Sequence, residues 1–269
     1  MDPRDTDSDG TRRTPDPGGL VNFVGSALQY IFTPGNWAST VANPIGARLG
    51  EHLWYTLLSL AIATVIAMPI GLLIGHTGRG RQVAVLVSGG ARALPTLGVI
   101  TLLAVIIGVG LRAPLISFVI LAIPSILAGA YSGLEAVDRQ TVDAARAMGM
   151  TEWQILTQVE VPLGLPLIIG GLRSATLQIV ATATLANYVG ALGLGSFIFL
   201  GLGNNDYTTM LVGAILVVAL AIAFEIVYSV VQRLVIPAGV RAGRTQNVRS
   251  RSARSRTVVG SPLQEGNES

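Results

Sequence analysis

Between Leu53 and Gly75, and again between Ala113 and Leu134, the chain carries no Asp, Glu, Lys or Arg. An uncharged apolar helix of about 20 residues is what crosses the ~30 Å hydrocarbon core of a bilayer. Composition points the same way. With 51% apolar and 12% charged residues and a mean hydropathy of +0.60, these 269 residues hold more apolar surface than a soluble domain of this length buries. The expected fold class is therefore all-α, a polytopic membrane helix bundle.

Read in order, the chain divides by composition. Residues 1–19 are rich in Asp, Arg, Pro, Gly and Thr and bury too little to fold, so a disordered tail is expected. No apolar segment with a small-residue cleavage site precedes the first span, and a cleaved secretory signal is not indicated. Residues 20–50 read as an interfacial segment: Leu20–Phe32 is apolar but shorter than a span, and Tyr30 and Trp37 suit the membrane surface. A transmembrane domain over 51–240 follows, with about five spans at 53–75, 83–110, 113–134, 163–187 and 208–236. Gly89, Gly90 and Pro95 predict a kink or break in the second. Residues 188–205 are Gly-rich and irregular, as in a re-entrant or outer-face gate segment. Gly190, Gly193 and Gly195 mimic a dinucleotide fingerprint, but no strand precedes them. Residues 241–269, rich in Arg and Ser, read as a second disordered tail that can touch anionic lipid.

Several chemistries are excluded. Cysteine is absent and the two His lie far apart, so zinc, haem, disulfide and redox readings find no ligands. All 18 basic residues are Arg. Without a Lys the chain lacks the phosphate-binding Lys of a P-loop, so any dependence on ATP comes from a partner. The pI of about 9.7 reflects arginines at the ends of apolar runs and in the C-terminal tail, which orient a membrane protein rather than bind nucleic acid. The link His76–Arg81 is short and basic and is expected in the cytoplasm. Counting spans then puts the N-terminus outside and the segment after the third span inside. The tail, with seven Arg from Arg233 to Arg256, is inside too.

That segment after the third span, a loop over 138–162, is the longest polar interruption of the apolar runs. From Val142 to Pro162 it reads VDAARAMGMTEWQILTQVEVP. A short helix through Asp143, Ala144, Ala145 and Met148 is expected to stop at Gly149. A second begins with Thr151 as N-cap and Glu152 at the positive end of its dipole, and carries Trp153, Leu156 and Val159 as apolar points; Pro162 then closes the loop and opens the next apolar run. Helix, glycine bend and second helix make a knob on one side of the bilayer, the shape of a docking surface.

This spacing resembles the cytoplasmic signature of permease subunits of ATP-driven importers: an acid and two alanines (Asp143, Ala144, Ala145), a glycine (Gly149), and apolar-x-apolar-Pro (Val159, Val161, Pro162). Asp143 stands where that signature usually has Glu, and Val159 and Val161 where it has Ile and Leu. From Asn22 to Val240 the chain further resembles the glycine betaine/carnitine/choline class of ATP-binding-cassette importer permeases. The segments Ala91–Leu103, Ala147–Arg173 and Asn187–Phe199 carry that likeness. It implies a type I importer permease fold, a bacterial plasma membrane location and a quaternary ammonium osmolyte as substrate. It implies as partners a second permease, a cytoplasmic ATPase that holds ATP and Mg, and an extracytoplasmic binding protein. The permease itself is then no enzyme and carries no cofactor or metal. By the same likeness Ala144, Ala145 and Gly149 allow close backbone approach to the ATPase, Met148 and Trp153 offer apolar bulk, and Asp143 meets a basic partner group. Pro95 falls at the family's break in the second span. Asn187, Tyr188, Gly190, Gly193, Gly195 and Phe197 fall in its outer segment, as candidate path or gate residues. Tyr131 and Phe199 are further aromatic candidates, though aromatics at span ends also serve as plain interfacial anchors.

Three charges lie inside spans. Arg92, Arg173 and Glu225 each sit about ten residues from the cytoplasmic end, which is ~15 Å deep. An unpaired charge there costs about 2.5–3.5 kcal/mol on the insertion scale, so Glu225 is expected to pair with Arg173 or Arg92. Two other functions stay open: an importer permease for another small solute such as an amino acid, and a scaffold or secondary transporter with no ATPase.

Overall fold

Prolines act differently by position in this chain: a helix breaks before Pro95, whereas Pro69, Pro124 and Pro166 lie inside helices. The computed structural model describes residues 17–91 and 93–235. Residues 1–16 of the expected first tail, Arg92, and everything from 236 onward, including the whole expected second tail, lie outside those residues. Among the described residues the secondary structure is helical throughout, and no strand forms.

Helix α1 spans Pro17–Phe32, so the helix begins inside the expected tail. A short 3₁₀ turn at Pro34–Trp37 follows, and α2 runs over Ile45–Thr77. The expected second span is not one helix. It is α3, Arg81–Ala91, and α4, Thr96–Ile107, of 11 and 12 residues. Pro95 is the N-cap of α4, in extended conformation with ψ 113°. A proline has no N–H to continue a helix and disfavours helical geometry in the residue before it, which is why the chain breaks here. At 1.5 Å per residue each piece is about 17 Å long, short of a bilayer crossing.

Helix α5 covers Arg112–Glu135, α6 Arg139–Ala147 and α7 Glu152–Ile155. A π-helical turn over Leu156–Glu160 joins α7 to α8, Val161–Ala183, and a 3₁₀ turn extends that helix to Val189. Pro162 lies in the first turn of α8, at the start of the expected apolar run, and the helical path from the loop continues through it. Val161 donates five residues back to Leu156, and this wider turn carries the helix past a residue that lacks an N–H. Helix α9, Gly195–Asn204, lies inside the stretch expected to be irregular, and α10 is Tyr207–Val235. Among the described residues four helical runs are long and apolar enough to cross a membrane: 45–77, 112–135, 152–189 and 207–235. The fifth expected crossing is the broken pair α3 and α4.

Internal contacts divide the chain into two units. The first holds the described residues up to Leu60 with Leu94–Ile120 and Gln178–Ile222. Its core includes Ile45, Ile100, Phe118, Leu194 and Phe197, all fully buried. Helix α1 docks here: Tyr30 meets Phe197 edge-on at 6.4 Å, and Phe23 lies 5.9 Å from Tyr207. The indole of Trp37 donates to the Ile31 carbonyl at 2.7 Å. The second unit holds Ala61–Ala93, Leu121–Leu177 and the described residues from Ala223. Here backbones approach through small residues. A Cβ on Gly71 would lie 2.5 Å from that of Ala130, and one on Gly129 would lie 2.6 Å from the Cα of Gly171. Such small-residue seams let membrane helices pack where no hydrophobic force separates protein from lipid. Helix α5 is the most enclosed: 61% of its apolar window is buried, against 22% for α2 and for α10. The outer faces carry Val65, Leu73, Val105 and Leu234 in the open, the pattern of a surface made for lipid.

Candidate functional site

The loop between α5 and α8 folds into a knob with its own core. Val137, Val142, Ala145 and Ile155 are buried together, and Met150 and Val159 pack against them. Local signals in the sequence build it. The Asp138 carboxylate accepts from the Gln140 N–H at 3.0 Å and caps α6. At the other end Gly149 takes φ +85°, its N–H donates to Arg146 O, and the Met150 N–H donates to Ala145 O at 3.3 Å. This pair of bonds is the glycine-dependent Schellman closure. Thr151 then opens α7 in a reciprocal box. The Gln154 N–H donates to its hydroxyl, and its own N–H donates to Gln154 Oε1 at 2.8 Å.

The knob presents Met148 and Trp153, 76% and 72% exposed, beside an open groove of about 410 Å³ lined in part by Thr141, Ala144, Met148 and Val159. Two large apolar side chains thus stand in the open on a turn that is capped at both helix ends. Ala144 faces outward, whereas Ala145 is turned into the knob's own core. Asp143 already has a partner: Arg146 Nη1 reaches it at 3.1 Å, and the same guanidinium grips Glu152 through two bonds of 2.8 and 3.0 Å.

One contact lay beyond the reach of sequence reasoning. His76, in the last turn of α2, points one ring nitrogen at Glu160 Oε2 at 2.5 Å and the other at Glu152 Oε2 at 3.3 Å. Glu160 is 2% exposed, the last residue of the π turn. Arg81 of α3 pairs with Glu135 of α5 at 2.8 Å. The link 76–81 and the knob therefore lie at one end of the second unit.

Within the same unit Arg173 of α8 pairs with Glu225 of α10, both about half-buried. The second carboxylate oxygen of Glu225 is buried without a hydrogen-bond partner. Arg92, the other cation considered for this pair, lies outside the described residues.

The outer-segment candidates lie in the first unit and are built for close approach. The 3₁₀ turn ends at Gly190, φ +85°, where the Asn187 amide donates to Ala191 O at 3.2 Å. Gly193, φ +120°, lies against the ring of His52. A Cβ on Gly195 would meet the Thr184 carbonyl at 2.0 Å. Phe197, 1% exposed, lies in the core of the first unit with the Tyr30 ring edge-on to it. Tyr188 is exposed and touches Phe199 at 6.3 Å. Pro95 is exposed at the start of α4. His52 is the residue the sequence did not mark: buried, it accepts from the Leu194 N–H at 3.3 Å through Nδ1 and contacts Val180 O at 3.0 Å through Nε2. Among the described residues no cluster of His, Cys, Asp and Glu has the makeup of a metal site.

Residues 67–238 match the family described as binding-protein-dependent transport system inner membrane component. The glycine betaine/carnitine/choline transport system permease protein OpuCB of Bacillus subtilis is 29% identical over 72% of this chain and 89% of its own length. The carnitine transport permease protein OpuCB of Listeria monocytogenes is 31% identical over the same shares. Among solved structures, an inward-facing MetNI methionine ABC transporter chain superposes with a TM-score of 0.63 at 26% identity, covering 72% of this chain and 96% of that one. With its helical architecture and its capped knob, this chain belongs to the family of inner-membrane components of binding-protein-dependent transport systems.

Proposed function

We propose that this chain is the permease subunit of an ATP-driven importer for a quaternary ammonium osmolyte: glycine betaine, choline, carnitine or proline betaine. The observation that carries the reading is the knob, whose Met148 and Trp153 stand exposed on a turn that is capped at both helix ends. A soluble ATPase that holds ATP and Mg receives these side chains, and its closure moves the knob. This polypeptide performs no covalent chemistry. A second permease completes the path, and an extracytoplasmic binding protein delivers the solute. The contacts His76 to Glu160 and Arg81 to Glu135 tie the Arg-bearing link to the knob, which supports one cytoplasmic face for both. In this topology the chain crosses the bacterial plasma membrane with its N-terminus outside and its C-terminus in the cytoplasm. Lipid is its surround, and nucleic acid is no partner.

The substrate follows the names of the relatives, which are permeases for betaine, carnitine and choline. A second reading, an amino acid, is favoured by the structural likeness to a methionine transporter chain. Reconstitution of the permease with its ATPase and binding protein in liposomes separates the two. The account expects ATP-dependent uptake of a labelled betaine or choline that excess methionine does not compete away. Uptake of methionine alone would assign the second reading, and uptake without ATP would overturn both.

A further inference from the structure

The π turn places a carboxylate, Glu160, in the interior of the second unit at 2% exposure, where a charge without a partner is costly. Its partner arrives from 84 positions away in the chain: the His76 ring nitrogen Nδ1 sits 2.5 Å from Glu160 Oε2. The other nitrogen of that ring faces Glu152 at 3.3 Å, and Glu152 is gripped in turn by Arg146 of α6. His76 thus stands between two carboxylates, Glu152 at the start of α7 and Glu160 at the end of the π turn. One residue before it, Gly75 abuts α5 so closely that a Cβ would lie 2.8 Å from that of Leu134. The end of α2 is seated on α5 by a glycine and bolted to the knob by an imidazole. The link that follows turns through Gly78 and Gly80 at φ +69° and +80°.

We infer that the His76–Glu160 pair is a coupling pin, which makes the first long helix move with the knob instead of letting the knob slide past it. The inference rests on the knob being the ATPase-facing element. A π turn is where a helix gains an extra residue per turn and re-aims its side chains, and here it aims an acid at a neighbouring helix. His76 and Glu160 are positioning residues: neither needs to touch solute or nucleotide. If the pair only supported the fold, its loss would reduce the amount of complex and lower hydrolysis and uptake together. As a pin, its loss changes the ratio between them.

The test uses the complete complex in liposomes, with solute uptake and ATP hydrolysis measured on the same preparation. For H76Q and E160Q the expected result is hydrolysis within about twofold of wild type and uptake per ATP reduced about tenfold or more. The double variant H76Q/E160Q is expected to be no worse than either single one, because the two changes remove one shared contact. The chain has no cysteine of its own, so H76C/E160C can be joined by a short thiol-to-thiol reagent. Joining is expected to restore uptake per ATP, and reductant to remove it again. Unchanged uptake per ATP in H76Q and E160Q, or no recovery on joining the cysteines, would overturn the pin. Absence of ATP-driven uptake in the wild-type complex would instead overturn the transport reading itself.

Discussion

Gly133 of α5 and Gly164 of α8 meet backbone to backbone: a Cβ added to Gly164 would lie 2.7 Å from the Gly133 carbonyl oxygen. Gly129 and Gly171 repeat the contact one turn or more away, so the seam between these helices admits no side chain. Neighbouring glycines on α8 make the comparison internal. A Cβ on Gly171 would lie 2.8 Å from the Gly129 Cα, whereas one on Gly170 meets nothing within 4 Å. G171A is expected to destabilise the detergent-solubilised protein by about 1–3 kcal/mol, the cost of overpacking, and G170A to be neutral or slightly stabilising. Thermal unfolding of the two variants checks this, and equal midpoints would contradict the seam.

Arg173 and Glu225 form one unit in energetic terms. Each is only half-buried, which moderates the loss. R173M or E225M alone is expected to cost about 1–2 kcal/mol by leaving a charge without its partner. R173M/E225M is expected to cost less than the sum. A double-variant cycle on unfolding midpoints reads this coupling; simple additivity would mean that the pair contributes nothing.

Gly149 sits at φ +85°, a backbone conformation that costs a residue with a Cβ about 1–2 kcal/mol. In G149V the Schellman closure fails and the knob loses the fixed placement of Met148. The expected outcome is normal membrane abundance with ATP-driven uptake abolished. Immunoblotting of membranes beside liposome uptake distinguishes this from a plain folding defect, and G149V that transports normally would contradict the role of the bend.

Asp206 opens α10. The Thr209 hydroxyl, then the Thr209 and Thr208 N–H groups, donate to its carboxylate and hold it below the usual carboxylate range. Because the folded form binds the proton less readily than the unfolded one, the cap contributes fully above the unfolded pKa of about 3.9 and is lost as pH falls through the lower folded value. At neutral pH D206A is expected to be less stable by about 1 kcal/mol, the usual worth of an N-cap. Unfolding midpoints measured down a pH series should converge for D206A and wild type only in acid. A gap that is constant with pH would show that the carboxylate charge is irrelevant.

Much of this was readable from sequence, and physics explains which parts. The spans were legible because a bilayer demands long uncharged runs such as 53–75 and 113–134. The caps at Gly149 and Thr151 were legible because capping is a local affair of a few residues. Helix α9 was hidden, since Gly195, Gly201 and Gly203 imitate a loop; the first two are there to let Thr184 and Met210 approach. The helical continuity from the loop through Pro162 was hidden, because nothing in the residue types announces the π turn before it. The inward turn of Ala145 depends on which face of α6 meets Ile155. The His76 contact with Glu160 is long-range, and no spacing rule addresses it.

The central claim, that Met148 and Trp153 meet a cytoplasmic ATPase, has a direct test, because the chain contains no cysteine and M148C is a unique label. In intact cells M148C is expected to resist a membrane-impermeant thiol reagent added outside. In inverted vesicles it is expected to react, to be protected by bound ATPase, and to cross-link to that subunit. Labelling from outside the cell, or a cross-linking pattern that never includes the ATPase, would contradict the account.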